Sequence, residues 1–426
     1  MPTKHIVIVG GSYGGVACAN TLQKALDPRL DATITLIDSR DARYHCIASY
    51  RALVQKDYAK NLWIPYTNLF PKNSPHRVIQ GVVSGVYHDH VILSTNSESS
   101  TSRIDFDYLV IATGSMVPSP SKWKVKDSAE GRRLLDKARE DVEHSQSIVV
   151  IGGGACGTEL AGELKYAYPA KKVTLIHGGA SLVDYPKFPQ SFKDEAKRYL
   201  EKQGVEVILN EQVEVQGLTR ENSIQKADRT IVLKNTDRSI RSDLQFLSIG
   251  QQAQTELLST LQLPSTEVAS VDGSHKDNGF KVESLLDPKT KAIRVRSTLQ
   301  LDHAAFLNIF AIGDASNADP VPTAMAAVAG GETSARNIMK LIKKARRSEA
   351  GEREPQEHDG FHCHSWSKLE DYRHIQTLMI LAMNPSGGVC QLPVLGTWFG
   401  NLGAWLVKSG DLFSGRFWRE MNMPRR

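Results

Sequence analysis

Along the chain, short β-branched runs alternate with stretches whose apolar residues recur at helical spacing. The first run, "HIVIV" (His5 to Val9), stops at Gly10; "VACANTLQKAL" follows with the spacing of an amphipathic helix, and "ATITLID" ends at Asp38. This pattern predicts strand, glycine turn, helix and strand. It returns in "SIVVIGGGACGTELAGELKYA" followed by "KKVTLIH". Two more apolar runs end in small-residue turns, "DYLVIATGS" (Asp107 to Ser115) and "LNIFAIGDAS" (Leu307 to Ser316), and "TAMAAVAGGETSARNIMKLI" after Pro322 has helical composition. Strands alternating with helices in this way predict an α/β fold built on parallel sheets.

Composition changes this picture little and excludes much. The 426 residues are 41% apolar and 23% charged, the balance of a folded chain long enough for two or three cores. A net charge of +5 is mild for this length, and basic residues form only short runs such as Lys343, Lys344, Arg346 and Arg347, so no specific nucleic-acid surface is expected. Five cysteines (Cys18, Cys46, Cys156, Cys363, Cys390) form no CxxC pair, which favours a reducing, cytoplasmic setting. A strand starting by His5 and a proline at position 2 argue against a leader peptide and a myristoyl anchor. No apolar run reaches the ~18 to 20 residues of a membrane span.

Glycine gives the repeat its chemistry. At Gly10, Gly11, Gly14 and Gly15 the backbone turns tightly and lets a pyrophosphate approach main-chain amides at the positive end of a helix. Ser12 takes the second glycine position of GxGxxG, with Tyr13 after it. Asp38, ending the next strand, is placed to accept hydrogen bonds from ribose hydroxyls. The second unit carries all three glycines, Gly152, Gly154 and Gly157, and His177 stands where the ribose carboxylate is expected. An imidazole neither makes that contact nor repels a 2′-phosphate, and Lys171 and Lys172 lie close in sequence, so NADH and NADPH both fit. Two Rossmann-like dinucleotide-binding domains follow from these signals.

The order of the signals, glycine unit, ATG turn, second glycine unit, GD turn, resembles the two-dinucleotide-binding-domain flavoproteins. That resemblance implies a glutathione-reductase-like fold with an NAD(P)H domain inserted in an FAD domain. The implied division is an FAD domain over 1–118 and 249–342, an NAD(P)H domain over 119–248, and a C-terminal cap over 343–426. FAD is then held by Gly10 to Gly15, Asp38, Thr113, Gly114, Gly313 and Asp314. Asp314 reads either as a partner of a ribityl hydroxyl or as a helix cap. Glu159 reads either as a carboxylate orienting the nicotinamide or as a first-turn glutamate answering the helix dipole.

"YHCIASYRAL", "IQGVVSGV", "IATGS", "GGGACGTELAGELK", "VTLIH" and "VKSGDLFSGRFW" are similar to the family of ferroptosis suppressor protein and apoptosis-inducing-factor-like NAD(P)H:quinone oxidoreductases, over about residues 5 to 342 and 373 to 420. The similarity implies Arg51 as a phosphate partner of FAD, Val83 as a main-chain contact, Glu159 on the nicotinamide side, and Lys122, Lys408 and Phe413 near the flavin. It implies hydride transfer from nicotinamide to flavin N5 and then reduction of a quinone or related acceptor. On that reading a turn at Ser409 and Gly410 brings the Lys408 cation and the Phe413 ring together on the acceptor side. The chain departs from the family at Cys46, where the family has asparagine, and in a charged insert around 345–372.

Other readings stay open. The CxxxxC dithiol of disulfide reductases is missing, since Arg51 stands five residues after Cys46. Cys46 alone allows peroxidase or oxidase chemistry through a sulfenic acid, against the plainer role of a small buried side chain. A redox-sensing or cell-death interaction protein with incidental turnover is a third reading. The insert holds His358, His362, Cys363 and His364, without a second ligand pair at zinc spacing, so no metal is expected. In the tail, Trp398, Leu402 and Trp405 share one helical face near Lys408, Arg416 and Arg419. Packing on the chain's own core, a homodimer contact and peripheral contact with a membrane, mitochondrial or other, all account for it.

Overall fold

The computed structural model describes residues 4–26, 32–94, 101–185, 188–214, 216–263, 280–351, 368–374, 378–393, 396–397 and 400–424. The chain divides into two units, one of residues 1–41, 66–115 and 252–374, the other of 42–65, 116–251 and 375–426.

The first unit is built on a five-stranded parallel sheet. Its order is Ile309–Ala311, Tyr108–Ile111, Lys4–Val9, Ala32–Asp38 and Arg77–Gln80, so the first glycine strand lies in the middle. Ile6, Val7 and Ile8 are all fully buried, as expected of a parallel strand covered on both faces. On one face lie the first glycine helix, Tyr13–Ala25, and the long helix Ala324–Glu349. These two helices meet backbone to backbone: a Cβ on Gly331 would stand closer than 3.0 Å to the Gly14 carbonyl oxygen. On the other face, Val7, Val9, Leu109 and Ile309 pack with Val86, Val91, Leu93 and Ile104 from an antiparallel meander of Val82–Val86, His90–Ser94 and Thr101–Asp105.

The second unit repeats the plan. Its sheet runs Glu206–Ile208, Lys172–Ile176, Ser147–Ile151, Ser239–Leu247 and Ile224–Val232, parallel except for the last strand. The second glycine helix, Ala155–Ala167, supports a hairpin of Met379–Asn384 and Gly387–Gln391, and a Cβ on Gly162 would stand only 2.5 Å from the Met383 carbonyl oxygen. The chain then forms a short helix Gly400–Ala404, a π turn Trp405–Ser409 and the helix Ser414–Glu420.

Side chains from 42–65 hold this last helix in place. Phe417 is fully buried beneath His45, ring centroids 4.9 Å apart, and the Arg43 guanidinium lies 4.6 Å over the Phe417 ring while pairing with Glu420 at 3.1 Å. Trp418 Nε1 donates to the Asn61 carbonyl at 2.9 Å. Burying the two aromatics contributes roughly 1.5–3 kcal/mol each, ample to fix a seven-residue helix that has no stability of its own. These contacts group residues 42–65 with 116–251 and 375–426, while 343–374 fall in the first unit.

His45 makes the tail sensitive to acid. It is completely buried, its Nε2–H donates to the Leu412 carbonyl at 2.8 Å, and burial lowers its pKa to about 3 against 6.5 unfolded. Below pH 6.5 the unfolded chain takes up a proton that the native imidazole refuses, so this residue withdraws stability as pH falls. Between pH 8 and pH 5 the loss is about 2 kcal/mol. Urea midpoints of wild type and His45→Gln across that range should therefore converge; parallel pH profiles would show that His45 titrates freely in the fold.

Candidate active site

In the first unit three turns lie at the carboxyl edge of the sheet. Gly10, at φ +107°, closes onto the ATG turn so tightly that a Cβ would stand closer than 3.0 Å to the Ala112 carbonyl. The Gly11 N–H donates to Asp38 Oδ2 at 2.6 Å, and Asp38 Oδ1 accepts from the Arg40 amide at 2.8 Å. Tyr66 closes the turn from the side, its hydroxyl donating to the Gly11 carbonyl at 2.8 Å. Thr113 Oγ1 donates to the Gln254 carbonyl at 2.6 Å, and the Gly114 carbonyl accepts from the Gln254 amide at 2.9 Å. Gly313, at φ +63°, opens the GD turn, and Ser115 Oγ donates to Asp314 Oδ2 at 2.7 Å, tying it to the ATG turn. Asp314 does not cap the long helix. Thr323 does, accepting from the Ala326 amide at 3.1 Å. Val83 lies in the meander, its side chain in the core and its backbone paired with Leu93.

In the second unit the same geometry recurs with different chemistry. Gly152, at φ +114°, closes onto the Ser248 carbonyl as Gly10 does onto Ala112, and the Gly153 N–H donates to His177 Nδ1 at 3.1 Å. His177 thus does for the second turn what Asp38 does for the first, as a neutral ring whose pKa burial lowers. Gly154 starts the helix facing open space. Lys171 is not near this turn. Its ammonium caps the helix Ser128–Glu143, donating to the carbonyls of Val142 at 2.9 Å, Glu143 at 2.6 Å and Ser145 at 2.5 Å. Lys171 and Lys172 stand at the opening end of the strand whose far end carries His177, so sequence proximity does not become spatial proximity.

Two carboxylates one turn apart on the second glycine helix are buried and paired. Glu159 Oε1 accepts from Lys408 Nζ at 2.6 Å and from the Ala382 amide at 2.9 Å, and Lys408 also donates to the Ile380 carbonyl at 3.0 Å. Glu163 receives Arg51 in a bidentate pair at 2.7 to 2.9 Å, and Arg51 Nη2 donates to the Ser409 carbonyl at 3.1 Å. Lys408 rides on the π turn, a helix irregularity often found at functional sites. Leu412 and Phe413 follow with φ of +53° and +62°, a left-handed pair that costs non-glycine residues energy. Asp411 supports them, accepting from the amides of Phe413 at 2.9 Å and Gly415 at 3.1 Å.

Within the second unit, then, the fold assembles Glu159, Lys408 and Arg51, with Phe413 one turn beyond Lys408. Lys122 belongs to this unit too, its carbonyl accepting from Ser119 Oγ at 3.0 Å. Cys46 opens a short 3₁₀ turn, half-buried. Cys156 follows the second glycine turn, and burial raises its pKa, which keeps it a thiol. Sequence reasoning missed Tyr66, His45 and Glu163; only Glu163 carried a signal, its spacing of four from Glu159 on a helix. Among the described residues no group of three or more His, Cys, Asp or Glu is placed to hold a metal, and His358, His362, Cys363 and His364 lie outside them, as does Trp398.

Residues 4–347 match the family described as "Pyridine nucleotide-disulphide oxidoreductase". The human protein "Ferroptosis suppressor protein 1" is 30% identical over 420 residues, spanning 98% of this chain and 95% of the relative. "Apoptosis-inducing factor homolog B" of Dictyostelium discoideum is 26% identical over 437 residues, spanning 99% and 98%. Among solved structures, the sulfide:quinone oxidoreductase of Aquifex aeolicus shares the fold with a TM-score of 0.58 at 19% identity, covering 80% of this chain and 78% of that one. The chain belongs to the pyridine nucleotide-disulphide oxidoreductase family, in its ferroptosis-suppressor and apoptosis-inducing-factor-like branch, and is a flavin-dependent NAD(P)H oxidoreductase.

Proposed function

We propose that the chain oxidises NADH or NADPH and reduces a quinone, with FAD held by the first unit and the nicotinamide nucleotide by the second. The residues present fit both groups. Neither glycine helix has a side-chain cap, whereas the helices at Ser128 and Ala324 are capped by Asp127 and Thr323, so both glycine turns present the positive end of a helix to an anion. Gly154 leaves open space that a Cβ would fill. Bound FAD supplies the two-electron relay between reductant and acceptor.

The observation that carries this reading is the buried Glu159–Lys408 pair at the start of the second glycine helix. A cation on Lys408 Nζ stabilises negative charge developing on an acceptor oxygen, and the same ammonium has a proton to give it. Glu159, the Ile380 carbonyl and the Ala382 amide hold both groups in one orientation before any ligand arrives, so no reorganisation is needed. Phe413, fixed by the strained turn, excludes water beside them.

We further infer that the acceptor comes from a lipid surface. Leu402, Trp405, Leu406 and Val407 are 53, 50, 66 and 48% exposed, an apolar patch on the segment that carries Lys408. No helix among the described residues is long and apolar enough to cross a membrane, so the contact proposed is peripheral.

Three outcomes are expected. Lys408→Met and Glu159→Gln should keep FAD while slowing quinone reduction about 10²- to 10³-fold; wild-type rates in both would remove the pair from the mechanism. His177→Glu should move preference toward NADH, because a carboxylate repels a 2′-phosphate; an unchanged ratio of kcat/KM for the two nucleotides would show that other groups read the ribose. Trp405→Glu with Leu406→Glu should abolish co-flotation with anionic liposomes while leaving turnover of a water-soluble quinone intact, and equal flotation would place the membrane contact elsewhere.

A further inference from the structure

Glu159 and Glu163 stand four residues apart on the helix Ala155–Ala167 and so share one of its faces. The first is paired with Lys408, the second with Arg51. Glu163 and Arg51 are only 2 and 4% exposed. Such a pair is a poor source of stability, because desolvation consumes most of its attraction and apolar residues of similar volume often do as well. What it does supply is direction. Arg51 Nε donates to both Glu163 oxygens at 2.9 Å and Nη2 donates to Oε1 at 2.7 Å, which fixes the plane of the guanidinium. From that fixed plane Nη2 also donates to the Ser409 carbonyl at 3.1 Å.

Ser409 is the point at which the tail is held. It ends the π turn Trp405–Ser409 and is fully buried, whereas Trp405, Leu406 and Val407 of the same turn are exposed and have little packing to hold them. Ser409 Oγ donates to the Gly387 carbonyl at 3.1 Å, so one residue is bound through its side chain by the hairpin and through its backbone by Arg51. Lys408 is the residue before it. A lysine stem is flexible, and its ammonium finds one place only when the backbone that carries it is pinned. Here Lys408 Nζ meets Glu159 Oε1 at 2.6 Å and the Ile380 carbonyl at 3.0 Å, one residue from the anchored carbonyl.

We propose that Glu163 is a positioning residue for electron delivery to the acceptor: it aims Arg51 at the Ser409 carbonyl, and this fixes the π turn from which Lys408 reaches Glu159. The inference rests on Lys408 serving the acceptor. Glu163 itself touches neither Lys408 nor an acceptor in this scheme; it acts through a guanidinium and one main-chain carbonyl. Without its carboxylate, Arg51 loses the fork that sets its direction, the Ser409 carbonyl loses a directed donor, and the turn gains freedom. Lys408 then samples positions in which its charge is misplaced for an acceptor oxygen, and small misplacements of this kind are costly to rate.

The test uses the full-length flavin-loaded protein and two readouts, stopped-flow kinetics and amide hydrogen exchange. Glu163→Gln should slow reoxidation by a water-soluble quinone about 10- to 100-fold while leaving bleaching of the flavin by NADH within about twofold of wild type. Exchange over residues 405–413 should quicken about tenfold, with the strands of the parallel sheets unchanged. Glu163→Asp keeps the buried charges matched and shortens only the arm; it should show the same effects more weakly, and it keeps the test valid if Glu163→Gln fails to fold. In a Lys408→Met background, Glu163→Gln should slow reoxidation no further, since the group it positions is gone. Wild-type reoxidation in the folded Glu163 variants would overturn the proposal, as would an equal slowing with and without Lys408, or slowed reoxidation with unchanged exchange at 405–413. Wild-type quinone reduction in Lys408→Met would instead overturn the acceptor role of Lys408, and the positioning role with it.

Discussion

The constraint on which everything else hangs is the approach of one main chain to another at the two glycine turns. At Gly10 and at Gly152 the backbone adopts a left-handed conformation directly against the carbonyl that ends a neighbouring strand, Ala112 in one unit and Ser248 in the other. At Gly15 and Gly157 the helix packs back on the carbonyl of that first glycine. No residue with a Cβ fits any of the four positions without moving backbone. The result is a helix N-terminus held at the carboxyl edge of a parallel sheet with no side-chain cap, made twice by the same local rule. One difference enters at the end of the next strand, where one turn is braced by a carboxylate, Asp38, and the other by a neutral imidazole, His177.

The second unit adds a feature that the first lacks: two carboxylates facing inward from the glycine helix. Isolated, each would be expensive to bury. Burial raises the Glu163 pKa while Arg51 opposes the rise, and a bidentate guanidinium supplies the geometry that such a pair needs to hold. Removing either partner would strand a charge out of water, at a cost of about 3–5 kcal/mol. Arg51 uses its remaining reach to hold the Ser409 carbonyl, the residue after Lys408. One buried pair thus braces the other, Glu163 and Arg51 fixing the π turn from which Lys408 meets Glu159. The strained Leu412–Phe413 turn persists for a related reason, since Leu412 is buried and its carbonyl is bound by His45.

Local pattern was enough for much of this. The strands that flank the two glycine turns, the glycine turns, their helices and the GD turn are read from spacing, because a β-branched run ending in glycine and followed by helical periodicity has few folds available to it. The sequence by itself also marked both glycine turns and Asp38, since each glycine turn and the end of the strand after its helix lie within some thirty positions of one another. What it did not determine was every decision made across long separations. Lys171 was read beside His177 from proximity in the chain, yet a strand of five residues places the two at opposite ends and sends the lysine to cap a helix. Arg51 takes as its partner Glu163, 112 positions away along the chain. The physical reason is the same in each case. Which side chains share a buried space is set by how sheets, helices and returning segments pack, and a buried charge or hydroxyl takes whatever partner that packing leaves within reach.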